Sequence, residues 1–227
     1  MPQPPQVICI PGGVAPAADR YASLRVATEG QASLHLKDLE VYREEAPPAG
    51  YSIDLEVAAI DELAASLGLE RFHLVGYSGG GFVSLAYAAT RPHRVLSLAL
   101  FEPARVPGAL TREESEFKDF LYAKLAGLQG PDFMAAFVRE QVKPGVVLTP
   151  PPPPSPAMLK RPAGLAAMIR AFGAYQLDRD LFRACTFPVY YAYGDLSHDE
   201  QAVKGGVLAR LFPDIHVQRF AGVHHFV

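Results

Sequence analysis

A serine set among glycines is the strongest chemical signal in this sequence. Ser78 lies in the stretch GYSGG at residues 76–80, which follows the pattern G-x-S-x-G. An apolar strand-like run, Phe72–Val75, precedes it, and an apolar helical run, Phe82–Ala89, follows it. A tight turn from strand to helix exposes the serine hydroxyl and requires small residues on both sides, because larger ones would clash with the adjoining elements. The pattern therefore predicts a nucleophilic serine at Ser78.

A serine hydroxyl is a weak nucleophile until a neighbouring imidazole accepts its proton. His224 and His225 stand just after the last strand-like run, in the stretch GVHHF at residues 222–226. We predict that His225 is the base, with His224 as the alternative, because the two adjacent rings must point in different directions. Four other histidines lie in strand-like runs or a loop and are interpreted as packing or surface residues: His35, His73, His93 and His216.

The base needs a carboxylate that fixes its tautomer and stabilises the imidazolium. Glu102 ends the buried strand-like run Val95–Phe101, and Asp195 follows the run Val189–Tyr193. Active sites in α/β proteins gather at the carboxyl ends of strands, so both positions suit the acid. A charge at the end of an apolar strand is costly without a partner, which for Glu102 could equally be Arg105. Both carboxylates remain candidates at this stage.

Backbone amides near the serine can stabilise the negative charge that develops on a substrate oxygen. The amide of Gly79 opens the predicted helix, where the helix dipole favours negative charge. A second amide is predicted at Gly13, in the PGGV turn after the first strand-like run, because glycine allows close backbone approach. Tyr77 adjoins the serine and is predicted to face the substrate.

The elements that must position these residues alternate between strands and helices. Such alternation predicts a mostly parallel sheet flanked by helices. Apolar runs predict strands at residues 7–10, 34–41 (interrupted near 37 and 38), 72–75, 95–101, 189–193 and 215–220. Helical periodicity is found at residues 17–29, 52–67, 82–89 and 201–211.

Residues 104–180 break this alternation. They carry helical patterns at 111–127, 131–141 and 157–176, and a proline run at 150–154 that predicts an extended polyproline spacer. We predict a single domain over 1–227, with a core at 1–103 and 181–227 and a helical lid at 104–180. Its aromatic and methionine side chains, with Phe82, favour an uncharged, hydrophobic acyl or ester group in the site: Phe117, Phe120, Tyr122, Phe133, Phe137, Met158, Met168, Phe172 and Tyr175.

The sequence resembles the α/β-hydrolase superfamily over nearly its whole length. The resemblance rests on the PGG turn at residues 11–13 where the family usually has His-Gly, the serine turn, the lid position and a late histidine followed by an aromatic residue. It implies an eight-stranded sheet with the lid after the sixth family strand. The first two strands and the last helix are expected to be missing here.

The same resemblance bears on the acid and on the activity. The family acid usually lies two residues after a Gly-Asp pair, where this chain has Ser197, whereas members like the haloalkane dehalogenases carry a glutamate at the place of Glu102. Asp199 is in range but is interpreted as the cap of the next helix. The implied activity is that of a carboxylesterase-like serine hydrolase. The alternative is a non-catalytic or weakly catalytic small-molecule binding protein.

Composition excludes several other classes of function. The net charge is -3 and the pI about 6.2, without a basic stripe, so nucleic acid is not expected as a partner. No phosphate loop, dinucleotide fingerprint or metal-ligand spacing is found, so no cofactor or metal is expected. Neither a signal peptide nor a membrane span is recognised, which favours a cytoplasmic protein with no membrane partner. The two cysteines, Cys9 and Cys185, are too few for a disulfide framework. The oligomeric state stays open.

Overall fold

Six parallel strands form one sheet at the centre of the protein. The structure is a computed structural model that describes residues 3–107, 111, 112, 116, 121, 123–150 and 155–226. The strands are β1 (Gln6–Ile10), β2 (Ser33–Leu36), β3 (Phe72–Tyr77), β4 (Val95–Phe101), β5 (Val189–Gly194) and β6 (Ile215–Phe220). They are hydrogen-bonded in the order β2-β1-β3-β4-β5-β6, and every pair is parallel. The carboxyl ends of β3, β4 and β5 therefore lie side by side at one edge of the sheet.

Helices connect the strands of this sheet. They are α1 (Ala17–Arg20), α2 (Ala22–Ala27), α3 (Ile53–Ser66) and α4 (Gly79–Thr90) before the lid, and α8 (Glu200–Leu211) between β5 and β6. Helix α3 begins as its sequence predicts, because Ser52 Oγ accepts a hydrogen bond from the Leu55 amide at 3.3 Å. It ends before Gly68, whose positive φ of 68° suits glycine.

The strand predicted over residues 34–41 is only half right. Strand β2 ends at Leu36, and the remaining part forms a 3₁₀ turn, Glu40–Tyr42. The cause is a long-range contact: the buried carboxylate of Glu56 accepts hydrogen bonds from the amides of Glu40 and Val41 at 3.0 and 3.3 Å. Two adjacent amides that bind one carboxylate cannot extend a strand ladder. The helix predicted at 17–29 is likewise divided, into α1 and α2.

The segment between β4 and β5 contains helices joined by loops where the structure describes it. Its helices are α5 (Gly130–Glu140), α6 (Pro156–Leu159) and α7 (Arg161–Ala174), followed by a 3₁₀ helix, Arg179–Ala184. The helix predicted at 111–127 lies largely outside the described residues, as do 151–154 of the predicted polyproline run. A single bridge, Val142 to Ser197, ties the end of α5 to the loop after β5. The lid segment is thus attached to the edge of the sheet that carries the strand ends.

The main hydrophobic core lies between the sheet and helices α3, α4 and α7. Helix α4 is buried along nearly its whole length, which explains its apolar sequence with little amphipathic pattern. Within the described residues, no helix is long and apolar enough to cross a membrane.

Candidate active site

Ser78 occupies the turn between β3 and α4 in a rare backbone conformation. Its φ is 51° and its ψ is -117°, a region that non-glycine residues seldom adopt. The turn is held by its surroundings, because the Ser78 carbonyl accepts from the Ala104 amide at 2.8 Å and its amide donates to the Phe101 carbonyl at 3.0 Å. A strained residue held by its neighbours is typical of functional positions.

Glycines on both sides of Ser78 are required by close packing. A Cβ on Gly76 would overlap Ser84 Oγ and the Gly80 carbonyl, and a Cβ on Gly80 would overlap the carbonyls of Ile10 and Pro11. These backbone approaches explain the small residues that the sequence pattern places two before and two after the serine.

Ser78, His225 and Glu102 form a continuous hydrogen-bonded chain. Ser78 Oγ lies 3.2 Å from His225 Nε2, and His225 Nδ1 lies 2.5 Å from Glu102 Oε2. A carboxylate on Nδ1 places the ring proton there and leaves Nε2 free to accept the serine proton. Ser78 is 8% exposed and the other two residues 4% each, so the chain is shielded from bulk water.

Glu102 is surrounded by donors that compensate for its burial. Its Oε1 accepts a 2.7 Å hydrogen bond from the Gly194 amide and a 2.6 Å hydrogen bond from Ser197 Oγ. Burial alone would raise the pKa of this carboxyl, but the hydrogen bonds that it accepts, with the one from His225, outweigh burial and lower its pKa below the usual value. Glu102 also has a positive φ of 46°, so its backbone is strained as well. The arrangement keeps Glu102 ionised at the end of an apolar strand.

Asp195, the other candidate acid, is not brought to the histidine. Its Oδ1 accepts from the Gly222 amide at 2.8 Å, so this side chain shapes the turn after β6. Asp199 stands at the N-cap position of α8 but makes no side-chain cap; it pairs instead with Lys143 at 3.0 Å. Sequence position alone could not separate Glu102 from Asp195, because β4 and β5 are neighbouring strands whose ends lie together.

The two adjacent histidines have different surroundings. His224 Nδ1 accepts from the Phe226 amide at 3.2 Å, and its ring is not part of the chain to Ser78. Tyr77 holds His225 in place. Its hydroxyl donates a hydrogen bond to the His225 carbonyl, and its ring centroid lies 5.0 Å from the imidazole centroid.

The sequence predicts that Tyr77 faces the substrate, but in the structure its side chain lies outside the lining of the cavity. It packs with Cys9, Ala17 and Tyr21 in a small cluster apart from the main core, and the Arg20 guanidinium lies 3.8 Å from its ring centroid. Tyr77 is absent from the described residues that line the cavity at Ser78. Tyr77 is the last residue of β3, and its side chain lies with Cys9, Ala17 and Tyr21 instead of in the cavity.

Gly79 and Gly13 both lie next to Ser78 at the cavity. A Cβ placed on Gly79 would lie 3.7 Å from the Gly13 amide nitrogen, so the two backbones are neighbours. The turn that contains Gly13 is fixed to α4, because the Gly80 amide donates to the Pro11 carbonyl at 3.0 Å. The amide of Gly79 also begins α4, so the positive end of the helix dipole faces this place.

A small cavity of about 50 Å³ opens at Ser78 between the strand ends and the lid. Its walls are mainly apolar and come from the loop after β1, the serine turn and helix α7: Gly13, Gly79, Leu165, Met168, Ile169 and Phe172. Arg105, Gln141 and Glu200 also contribute to the lining. Met168 lies directly over Gly79, because a Cβ on that glycine would overlap the methionine methyl group.

The lid aromatics divide into three groups. Phe137, Met168 and Phe172 line the cavity. Others pack inside the protein, with Phe133 stacked on Phe137, and Phe82 and Tyr175 against the main core. Phe117, Phe120 and Tyr122 lie outside the described residues.

Two residues beside the site carried no sequence prediction of a role. Ser197 binds Glu102, and the Tyr42 hydroxyl donates to the Gly13 carbonyl at 2.8 Å. For Ser197 a signal existed, since it occupies the usual acid position of the resembled family. Tyr42 has no local signal, because its contact with Gly13 spans 29 residues of chain.

Comparisons with known proteins agree with this architecture. The sequence model of the alpha/beta hydrolase fold family matches residues 42–142. The carboxylesterase CesB of Bacillus subtilis superposes with a TM-score of 0.70 at 18% identity, covering 99% of this chain and 78% of that one. A hydrolase from Pseudomonas aeruginosa superposes with a TM-score of 0.72 at 18% identity, covering 98% and 83%.

The chain has the alpha/beta hydrolase fold. The strand order and the serine turn at the end of β3 follow that fold, and they place Ser78, Glu102 and His225 at the carboxyl edge of the sheet. A further superposition, on the α/β-hydrolase enzyme MGS-M2 from a deep-sea metagenome library, has a TM-score of 0.73 at 12% identity and covers 98% of this chain and 83% of that one.

One curated protein matches over a short stretch. It is named "Putative carbamate hydrolase RutD", from Stutzerimonas stutzeri, and is 43% identical over 51 residues. The match spans 22% of this chain and 19% of that protein.

Within the described residues, no group of three or more histidine, cysteine or acidic side chains could hold a metal ion.

Proposed function

We propose that the protein is a serine hydrolase that cleaves small, apolar esters or related acyl compounds through a covalent acyl-enzyme. The observation that carries this proposal is the hydrogen-bonded chain from Ser78 through His225 to Glu102. That chain favours hydrolysis over the alternative, a binding protein without catalysis, since a ligand site alone needs no buried base on a serine hydroxyl.

In the first half of the reaction, Ser78 Oγ attacks the substrate carbonyl carbon while its proton moves to His225 Nε2. Glu102 holds the imidazole through Nδ1 and stabilises its positive charge. The developing oxyanion accepts hydrogen bonds from the amides of Gly79 and Gly13. When the tetrahedral intermediate collapses, the bond to the leaving oxygen breaks and that oxygen takes the proton from Nε2.

In the second half, water releases the acyl group. His225 Nε2 takes a proton from water as the water oxygen bonds to the acyl carbon. The proton then passes to Ser78 Oγ as the acyl–enzyme bond breaks. The products are a carboxylic acid and the alcohol released earlier, and every step uses groups of this chain and water alone.

The size and lining of the cavity support small acyl groups. The cavity of about 50 Å³ is small, which favours a short acyl group. Leu165, Met168 and Phe172 supply an apolar wall of this cavity. The protein with the short sequence match is named a putative carbamate hydrolase. Carbamates should therefore be tested beside simple esters.

The test combines active-site labelling with ester hydrolysis. We expect a fluorophosphonate to label Ser78, and p-nitrophenyl acetate to be cleaved faster than the hexanoate and octanoate. The variant Ser78→Ala should lose both properties. A wild-type protein with neither labelling nor cleavage above that variant would refute the proposed function, and a preference for octanoate would refute the small acyl group.

A matched control is provided by a second serine–histidine pair. Ser97 Oγ lies 2.7 Å from His73 Nδ1, on neighbouring strands away from the cavity. Burial lowers the pKa of His73, and within the described residues no carboxylate is hydrogen-bonded to its ring. We expect Ser97→Ala to keep both labelling and hydrolysis, since a serine–histidine contact by itself lacks the strained turn, the acid and the amide donors.

A further inference from the structure

We propose that Tyr42 is a positioning residue that couples the lid helix α7 to the oxyanion loop, defined as residues 11–14. The proposal rests on the proposed hydrolase function, because it assigns Tyr42 to the amide donors of that reaction. Tyr42 is 5% exposed, and its side chain contacts both the loop and the helix.

The backbone of Tyr42 is anchored to the core. Its 3₁₀ turn is bound to α3 by Glu56, which is 1% exposed and accepts from the amides of Glu40 and Val41. A third donor, the Tyr51 hydroxyl, reaches the same carboxylate at 2.9 Å. The tyrosine ring therefore projects from a turn that is bound to the core through α3.

The hydroxyl of Tyr42 fixes the oxyanion loop. It donates a 2.8 Å hydrogen bond to the Gly13 carbonyl, which belongs to the planar peptide between Gly13 and Val14. Gly13 follows another glycine, so its backbone has wide rotational freedom. A buried hydrogen bond on its carbonyl restricts that freedom and so limits the movement of the Gly13 amide beside Gly79.

The ring of Tyr42 packs against helix α7. Gly164 packs so closely that any Cβ there would overlap the tyrosine ring. The Arg161 guanidinium lies 3.9 Å from the ring centroid, and the residue is 2% exposed; among the described residues, its Nη1 has no hydrogen-bond partner. Burying a guanidinium that is not paired with a carboxylate costs free energy. Contact with the aromatic face offsets part of that cost only while α7 packs against the Tyr42 ring.

The same lid helix also covers the amide donors. The Tyr42 hydroxyl oxygen lies 3.6 Å from Met168 Sδ, and the methyl group of Met168 lies over Gly79. Lys160, just before α7, donates from Nζ to the Tyr42 carbonyl at 2.6 Å. A displacement of α7 would therefore change the contacts of Tyr42.

The first experiment removes the hydroxyl and keeps the ring. Loss of a direct oxyanion donor lowers kcat by about 10²–10³-fold, so loss of a group that only orients the donor, in Tyr42→Phe, is expected to lower it by roughly 10-fold. KM should stay within about twofold, because the ring still seats the lid. Fluorophosphonate labelling of Ser78 should slow by a similar factor, because it builds charge on an oxygen at the same amides.

The control is Tyr87→Phe, which removes another tyrosine hydroxyl from a fully buried side chain. Tyr87 donates to Asp61 Oδ1 at 2.7 Å, near the far end of α4 and away from the cavity. Both variants should lose similar stability, but only Tyr42→Phe should lose kcat. Unchanged kcat in Tyr42→Phe, an effect on KM alone, or an equal kcat loss in Tyr87→Phe would each overturn the proposal.

A second variant tests the coupling itself. Gly164→Ala keeps the Tyr42 hydroxyl but displaces α7 or the ring, so kcat should fall in the wild type and change little further in the Tyr42→Phe background. Additive losses would show that the two positions act independently and would overturn the coupling.

Amide hydrogen exchange separates the failure of this proposal from failure of the proposed function. The amides of residues 12–14 should exchange faster in Tyr42→Phe than in Tyr87→Phe, with no substrate present. Unchanged exchange would overturn the role of Tyr42 even in an active hydrolase. A wild-type protein without ester cleavage or labelling would refute the hydrolase function, whatever the exchange result.

Discussion

Ser197 Oγ donates a 2.6 Å hydrogen bond to Glu102 Oε1, although the two residues follow different strands. Glu102 comes directly after β4, and Ser197 stands in the loop after β5, where the resemblance implies the usual place of the acid. The carboxylate thus reaches the histidine from the neighbouring strand, and a hydroxyl at the usual acid position binds it.

The acid is tested by comparing two carboxylates. Glu102→Gln should lower kcat by about 10⁴-fold, because the amide no longer favours the tautomer or stabilises the imidazolium. Asp195→Asn keeps an acceptor for the Gly222 amide and should stay within a few-fold of wild type. Steady-state rates with p-nitrophenyl acetate measure both. The reverse order of effects would make Asp195 the acid.

The support of Glu102 is tested by removing the Ser197 hydroxyl. A hydrogen bond to a charged group contributes about 1.5–3 kcal/mol, so Ser197→Ala should lower the free energy of unfolding by about that amount. The matched control is Ser84→Ala, since Ser84 is equally buried but donates to the neutral Gly80 carbonyl at 2.7 Å. Denaturant unfolding at neutral pH should show the larger loss for Ser197→Ala. Equal losses would contradict a special role of the charge.

The lowered pKa of Glu102 predicts how stability depends on pH. A carboxyl with a lowered pKa in the folded state contributes stability above its unfolded pKa of about 4.3, and that contribution is lost as pH falls through the folded value. The wild type should therefore lose stability on acidification below about pH 4, and Glu102→Gln should lose less over the same interval. Unfolding free energies measured from pH 7 downwards test this.

An exposed carboxylate serves as the control for the pH experiment. Asp180 is paired with Arg183 at 2.8 Å, but its side chain is 68% exposed. Exposed ion pairs contribute little, so Asp180→Asn should follow the wild-type curve. If Glu102→Gln also follows that curve, Glu102 is not the group that makes the protein sensitive to acid.

The apolar wall of the cavity predicts a shift in acyl-chain preference. Met168 is fully buried over Gly79, so Met168→Ala should enlarge the cavity and move the preferred p-nitrophenyl ester from acetate to longer chains. The truncation should also cost about 2–5 kcal/mol of stability. Met158→Ala, on α6 and outside the cavity lining, should keep the original preference. An unchanged profile in Met168→Ala would show that Met168 does not limit the acyl group.

Much of the fold could be predicted because its signals are local. The pattern of residues 76–80 requires a strand before it and a helix after it, and the apolar runs of β3 and α4 lie directly beside it. Buried parallel strands read as continuous apolar runs, which is why β4 and β5 were recognisable. The strand predicted at residues 34–41 is longer than β2 because of a contact that is distant in sequence. The carboxylate of Glu56 binds the amides of Glu40 and Val41 and turns them away from the sheet.

The sequence by itself determined the elements and the residue types at their ends: a serine in a strained turn, histidines after the last strand, and two acids after neighbouring strands. Only the tertiary structure decided that Glu102 meets His225, that Asp195 supports a turn, and that Tyr77 lies under the histidine. Local backbone preferences depend on adjacent residues and can be read from them. Contacts between side chains depend on strand register and loop paths, which bring together residues far apart in the chain.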